Sequence, residues 1–159
     1  YYYCAGHALP ATKKQITNII DFYIKEENFE KIFVVTEDKK KLEILKKKYG
    51  NKILSYNSFR TDDPNDFLIQ KRPLHKFKLG LESLIEVIIL SKLSKVVGIN
   101  SNITNAAIVL SNGKTKFVKI ENGWNSQSFF WSSYKWYFLN SLPSFLGGFD
   151  DYKNLKRYK

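Results

Sequence analysis

The chain has 159 residues, enough for one domain of common size with a continuous apolar core. Its net charge of +11 favours anionic partners such as nucleotide phosphates, anionic lipid or nucleic acid, without choosing among them. The single cysteine, Cys4, excludes an internal disulfide and a cysteine-based zinc site, and it favours a reducing compartment such as the cytoplasm.

The beginning of the chain and its apolar runs bear on where the protein acts. The sequence opens on the aromatic cluster YYYC and contains no methionine, so we expect a fragment or a processed product. The unbroken apolar run at residues 87–90 is far shorter than the roughly 20 residues that cross a bilayer. No signal peptide or membrane-spanning helix is recognisable.

Helices and strands alternate in the first third of the chain. Apolar residues at helical spacing predict a helix over residues 12–28, with Thr12 placed to cap it. The β-branched run KIFVVT, residues 31–36, predicts a strand that is covered on both faces. A lysine-rich helix then ends at Gly50, and KILSY, residues 52–56, predicts a second strand.

A long loop and a strongly apolar helix follow. Residues 57–78 contain prolines and aspartates with few periodic apolar positions, and about 20 residues of loop in a compact domain is typical of a functional loop. The next segment, residues 80–93, predicts a helix so apolar that we expect it to be buried between the sheet and a neighbouring element.

Three more elements complete the predicted domain. These are a strand over 95–99, a short helix over 103–110 and a strand over 116–120. The order of elements predicts an α/β fold with a Rossmann-like, doubly wound parallel sheet over residues 1–123.

Residues 124–159 form a tail of different composition. Aromatic residues crowd its first half, and their density requires a surface to pack against. The tail predicts a helix that docks on the domain or on a missing N-terminal half. An interfacial membrane element with basic flanks is the alternative.

Polar residues follow two of the predicted strands, at the edge of an open α/β sheet where ligands bind. Thr36, Glu37 and Asp38 follow the first strand and can accept hydrogen bonds from a ribose, a base or a sugar. Ser101 and Asn102 follow the third, where a helix N-terminus can bind a diphosphate. Helix capping is the simpler explanation of both sets. Neither a GxGxxG nor a P-loop pattern is present.

Glu86 is a lone carboxylate in the apolar helix segment LIEVIIL. Burying an unpartnered charge costs several kcal/mol, so the side chain either finds a specific donor, such as a ligand base, or lies on a solvent edge. Loop residues that could contact donor or acceptor are His7, Arg60, Asp62 and Asp63. The histidines lack metal-ligand spacing, and we predict no metal.

Two segments resemble the fucosyltransferase-like superfamily of GT-B glycosyltransferases, which includes α-1,6-fucosyltransferases and bacterial members. IFVVTEDKKKLEILKKKYGNKILSYNS looks like its strand, acidic pair, helix and strand unit. GLESLIEVIILSKLSKVVGINSNITNAA looks like its later donor-site unit and is the more specific of the two. The resemblance covers residues 32–110.

The resemblance implies a C-terminal, donor-binding half that transfers a sugar, expected to be fucose, from GDP to a surface glycan or glycolipid acceptor. It implies that Glu86 takes the place of the aspartate that recognises guanine, that Ser101 and Asn102 hold ribose and diphosphate, and that Glu37 and Asp38 match the acidic pair. No cofactor is implied beyond the GDP-sugar substrate.

The family's His-x-Arg motif, whose arginine supports the leaving diphosphate, is absent from this chain. We therefore expect no turnover by the chain alone. A cytoplasmic enzyme in peripheral contact with the inner membrane, with no nucleic-acid partner, is the resulting hypothesis. The alternative is a non-catalytic nucleotide-binding or membrane-docking module.

Overall fold

The computed structural model describes residues 6–69 and 71–152. It contains five α-helices and four β-strands over those residues, in the order α1 (Lys13–Lys25), β1 (Ile32–Phe33), α2 (Lys39–Tyr49), β2 (Ile53–Leu54), α3 (His75–Ser91), β3 (Lys95–Gly98), α4 (Asn102–Leu110), β4 (Lys116–Lys119) and α5 (Phe129–Ser141). Short 3-10 helices cover Gly50–Lys52, Pro64–Phe67 and Ser144–Leu146. The opening YYYC and the last seven residues lie outside the described part.

The strands form two parallel pairs. In the first, Ile32 of β1 lies opposite Ile53 of β2, and in the second, Lys95 of β3 lies opposite Lys116 of β4. No hydrogen-bonded ladder joins the two pairs within the described ranges. The α/β class is therefore confirmed. The strands begin near their predicted positions, but β1 and β2 have only two residues each because regular pairing stops after Phe33 and Leu54.

Helix α1 connects the two strand pairs through adjacent residues. Its first turn is closed by a capping box in which Thr12 accepts from the Gln15 backbone N–H and Gln15 accepts from that of Thr12. Ile19 packs in one cluster with Ile120, just after β4, whereas Ile20 packs in another with Ile53 of β2. One helix therefore covers both pairs.

Helix α3 differs from its prediction in extent and in burial. It begins at His75, five residues before the predicted start. Its buried side chains are His75, Glu86, Val87, Leu90 and Ser91, while four apolar residues of the opposite face are 45 to 67% exposed. The expectation of a helix buried between the sheet and a neighbouring element is wrong, because α3 packs against α4, β3 and the preceding loop through one side and leaves its other side exposed.

The predicted tail helix is present as α5. Its inner side contacts the domain through Trp136, whose indole N–H donates to the carbonyl of Pro10 over 2.9 Å, and Ser132 on the same helix is fully buried. After α5 the chain returns to α1, where Gln15 donates to the Asp150 carbonyl over 2.7 Å. Among the described residues, no helix is long and apolar enough to cross a membrane.

Candidate functional site

The segments that follow β1 and β2 run side by side. Asp38 and Thr61 form an isolated parallel bridge, in which the Thr61 N–H donates to the Glu37 carbonyl over 3.1 Å. The parallel pairing of β1 and β2 brings these segments to one edge, as expected for carboxyl ends of parallel strands. This places Thr36, Glu37 and Asp38 beside the loop that carries Arg60 and Asp62.

Two carboxylates occupy the N-terminus of α2. Asp38 Oδ1 accepts the Lys41 N–H over 2.8 Å, and Asp62 Oδ1 accepts the Lys40 N–H over 3.0 Å. The hydroxyl of Thr36 accepts the Asp38 N–H over 3.2 Å. Asp38 and Asp62 therefore cap a helix and stabilise its dipole. The side chain of Glu37 is exposed at the same edge.

Glu86 is buried and has two protein donors, so the alternative of a solvent edge is excluded. The residue is 7% exposed, and its Oε1 accepts from the Ser58 hydroxyl over 2.7 Å and from Arg60 Nη2 over 3.0 Å. Arg60 is equally buried, with 8% of its side chain exposed. Both donors meet the same oxygen. Oε2 accepts no hydrogen bond from the described residues.

Burial raises the pKa of Glu86 above its ordinary value of 4.5. The Ser58 hydrogen bond and the Arg60 charge lower the pKa but do not outweigh burial, and the negative charges of Glu82 and Glu37 add to the rise. Burial therefore outweighs the support that the two protein donors give to the charged form, and Oε2 is not one of the buried unpartnered atoms among the described residues, so it is open to a further donor. One more N–H at Oε2 would favour the charged form.

Arg60 links the loop to α3. Its Nη1 donates to the carbonyls of Tyr56 and Ser58 over 2.8 and 3.0 Å, which fixes the curve of the chain after β2. Its Nε is buried and has no partner among the described residues. An unpaired buried donor is costly, so this guanidinium is held in place by the rest of its network.

A second network, which the sequence analysis missed, lies one turn earlier on α3. Arg72 donates both terminal nitrogens to Glu82 over 2.7 Å each, and the Phe59 N–H donates to the same carboxylate over 3.1 Å. His75, only 2% exposed, accepts from Arg72 Nε over 3.3 Å. The hydrogen bonds from Arg72 lower the pKa of Glu82, in spite of partial burial.

The neighbouring rings complete this second network. Phe59 lies edge-on to His75, with the ring centroids 4.8 Å apart, and the Arg72 guanidinium stacks over the Phe59 ring at 5.3 Å. A sequence signal existed, since Glu82 and Glu86 are spaced one helical turn apart and two arginines lie in the preceding loop. Their pairing across ten and 26 residues depends on the loop conformation.

Ser101 and Asn102 lie at the start of α4. Ser101 and Thr104 form a capping box, in which the Ser101 hydroxyl accepts the Thr104 N–H over 3.3 Å and the Thr104 hydroxyl accepts the Ser101 N–H over 3.1 Å. Asn102 is exposed. Among the described residues, no hydrogen bond or ion pair joins these two residues to Glu86 or Arg60. The structure thus gathers residues 36–38, 60–62 and 86, with Ser101 in a cap of its own.

The other loop candidates have structural contacts. His7 accepts the Asn125 N–H through its backbone carbonyl over 2.8 Å, beside the bridge between Ala8 and Trp124. Asp63 caps the Pro64–Phe67 helix by accepting the Asn65 N–H over 2.9 Å. Over the described ranges, no group of three or more His, Cys, Asp or Glu side chains is arranged to hold a metal ion.

Comparison with protein-family models, with curated proteins and with solved structures gives no match to this chain.

Proposed function

We propose that this chain is the donor-binding half of a fucosyltransferase-like glycosyltransferase that takes its sugar from GDP. Parallel strand pairs in an α/β fold, and a polar network at the ends of β1 and β2, support a nucleotide site at that edge. The sequence resemblance over residues 32–110 supplies the reaction class. No catalytic base is assigned.

The proposal includes a Rossmann-like arrangement with the strand order β2, β1, β3, β4. Two packing contacts support it, since α1 covers both strand pairs and Phe33 of β1 packs in the cluster that contains Val96 of β3. A pair of neighbouring strands without regular hydrogen bonds can still share one core. Ligand binding at the β1 edge would then fall near the middle of the array.

The observation that carries the proposal is the buried side chain of Glu86, whose two protein donors both meet one carboxylate oxygen. Protein donors occupy Oε1, while Oε2 has no partner among the described residues and burial holds the pKa of the group above its ordinary value. Guanine offers adjacent N–H donors that suit a carboxylate. A nucleotide base that donated to Oε2 would therefore stabilise the buried charge.

Titration of the protein with GDP, UDP and buffer by calorimetry tests this role. Glu86→Gln should weaken GDP binding by about 1.5 to 3 kcal/mol, the scale for a hydrogen bond to a charged group. Glu82→Gln is the matched control, because this neighbour on α3 is satisfied by Arg72 and Phe59. Equal GDP affinity for wild type and Glu86→Gln, with both variants folded, would exclude Glu86 as the base-binding group.

A non-catalytic nucleotide-binding module is the second candidate. Two arginines lie among the described residues, Arg60 and Arg72, and both are hydrogen-bonded to glutamates. This pairing favours a module that binds a nucleotide without catalysis. A leaving diphosphate needs positive charge or amide donors close to its oxygens. We therefore expect the chain alone to bind GDP without transferring fucose, and measurable turnover by the purified 159-residue chain would exclude the module.

A further inference from the structure

The outer face of α3 is apolar where a surface helix is ordinarily polar. Phe77, Leu81, Leu84 and Ile88 recur at intervals of four, three and four residues, so they share one face. They are 67, 46, 51 and 45% exposed. We call these four residues the α3 stripe. A contiguous apolar stripe on a protein surface marks a contact site.

Two exposed leucines precede α3, one of them at a conformational cost. Leu74 is 67% exposed and has a φ of +54°, the left-handed region that a leucine rarely adopts. Leu68, just upstream, is 78% exposed. Neither side chain is buried, so hydrophobic burial does not explain why leucine stands at either position.

The exposed charges of α3 and its C-cap have one sign. The two acidic residues of α3, Glu82 and Glu86, point into the protein and are held by Arg72 and Arg60. The lysines of the helix and its C-cap stay outside, with Lys76 and Lys92 exposed and Lys78 half-buried. The inward pairing of the acids therefore leaves an outer face that is apolar and cationic.

We infer that this face, the α3 stripe with its flanking lysines, docks on the surface of an anionic lipid bilayer. Apolar side chains that insert at the headgroup boundary and lysines that meet anionic lipid are the two signals of an interfacial helix. A second copy of the chain would bring lysines against lysines between partners of charge +11 each. The inference does not rest on the proposed transferase activity.

The geometry fits a helix that lies in the membrane plane. At 1.5 Å per residue, the 17 residues of α3 extend about 25 Å along the surface. The opposite side of α3 stays in contact with α4 and the core through Val87 and Leu90. Docking therefore requires no unfolding of the domain.

Vesicle flotation of the full 159-residue chain tests the inference. The protein should float with vesicles of equimolar phosphatidylcholine and phosphatidylglycerol, bind vesicles of phosphatidylcholine at least about tenfold more weakly, and dissociate as salt is raised. The double variant Leu81→Gln/Leu84→Gln should lower the partition coefficient about tenfold or more, because it removes two inserting side chains.

Two further variants separate the contribution of the lysines to membrane binding from that of the apolar side chains. Lys76→Gln/Lys78→Gln should lower binding to the anionic vesicles about tenfold and leave the weak binding to phosphatidylcholine unchanged. Ile44→Gln is the matched control, since Ile44 is 41% exposed on the lysine-rich helix α2 and lies off the stripe. Its partition should equal that of the wild type, and circular dichroism should show all variants folded.

Failure of the wild type to float with anionic vesicles would overturn the inference. A loss of vesicle binding in Ile44→Gln equal to that in Leu81→Gln/Leu84→Gln would also overturn it. If the α3 variants bind vesicles as the wild type does and Trp131→Ser/Phe138→Ser does not bind, the membrane-binding surface lies on α5 and the inference is wrong. Sedimentation velocity tests whether a second copy of the chain, and not lipid, binds this face. Dimers of the wild type that Leu81→Gln/Leu84→Gln dissociates would identify a second copy of the chain in place of lipid.

Discussion

The network that joins Arg60 of the loop to Glu86 of α3 differs from the helix α5 in how far its side chains are exposed to water. Around α3, the charged pair Arg60 and Glu86 is more than nine-tenths buried. On α5, the large aromatic residues Phe130, Trp131 and Phe138 are 62 to 65% exposed. Side-chain polarity alone thus predicts the wrong location for both sets.

The difference shows that burial follows the contacts available to each side chain. Arg60 and Glu86 satisfy each other and use the Ser58 hydroxyl and two carbonyls as further partners, which offsets much of the cost of removing them from water. The aromatic residues of α5 outnumber the positions on its inner side, where Trp136 already meets Pro10. We therefore expect truncation of the network arginines to lower the free energy of unfolding, and substitutions on the α5 surface to leave it nearly unchanged.

Removal of Arg60 should have the largest effect. Arg60→Ala leaves the Glu86 carboxylate buried without its cation, and the free energy of unfolding should fall by about 3 to 5 kcal/mol. Urea denaturation followed by circular dichroism measures this change. The double variant Arg60→Ala/Glu86→Leu should recover part of the loss, since no charge is then buried. A double variant no more stable than Arg60→Ala would contradict this explanation.

The second network is more exposed and should be weaker. Arg72→Ala removes two hydrogen bonds to Glu82 and the stacking over Phe59, so we expect a loss of about 2 kcal/mol. Arg72→Lys keeps the charge and loses the two parallel hydrogen bonds. Its free energy of unfolding should therefore lie between those of the wild type and Arg72→Ala. If Arg72→Lys were as stable as the wild type in the same denaturation assay, charge alone would hold the loop.

Two tryptophans on α5 give a matched comparison on one helix. Trp136→Phe loses the hydrogen bond to the Pro10 carbonyl, so the free energy of unfolding should fall by about 1 kcal/mol. Trp131 is 62% exposed, and Trp131→Ser should change stability by less than about 0.5 kcal/mol. Thermal unfolding of both variants is the measurement. The reverse order would mean that the outer face of α5 is the buried one.

The smallest effect is a pair of opposite pH dependences within α3. The pKa of Glu82 is lowered, so its contribution to stability is present above its ordinary pKa of 4.5 and is lost as pH falls through the folded value. The pKa of Glu86 is raised, so its contribution is present below 4.5 and is lost as pH rises through the folded value.

Unfolding at several pH values between acid and neutral tests these signs. Compared with wild type, Glu82→Gln should show a smaller loss of stability as pH falls below 4.5. The stability of Glu86→Gln relative to the wild type should increase as pH rises above 4.5. Slopes of the same sign for the two variants would show that one of the carboxylates has been assigned the wrong environment.

Several elements of the site were predictable, and their connections were not. The sequence placed Asp38 before a helix and Glu86 inside another, and it offered capping and a specific donor as explanations. Both occur in the structure. That Arg60 is the donor depends on the path of a loop of irregular conformation, for which hydrophobic periodicity contains no information.

The amino-acid sequence by itself determined the alternation of helices and strands, the caps at Thr12, Asp38 and Ser101, and the general α/β class, because these follow from local spacing and short-range hydrogen bonds. Only the tertiary structure decided which face of α3 is buried. Periodicity reports that a helix has an apolar stripe, whereas burial depends on where a neighbouring element lies. On α3 the neighbours cover the side that carries Glu86 and leave the α3 stripe in solvent.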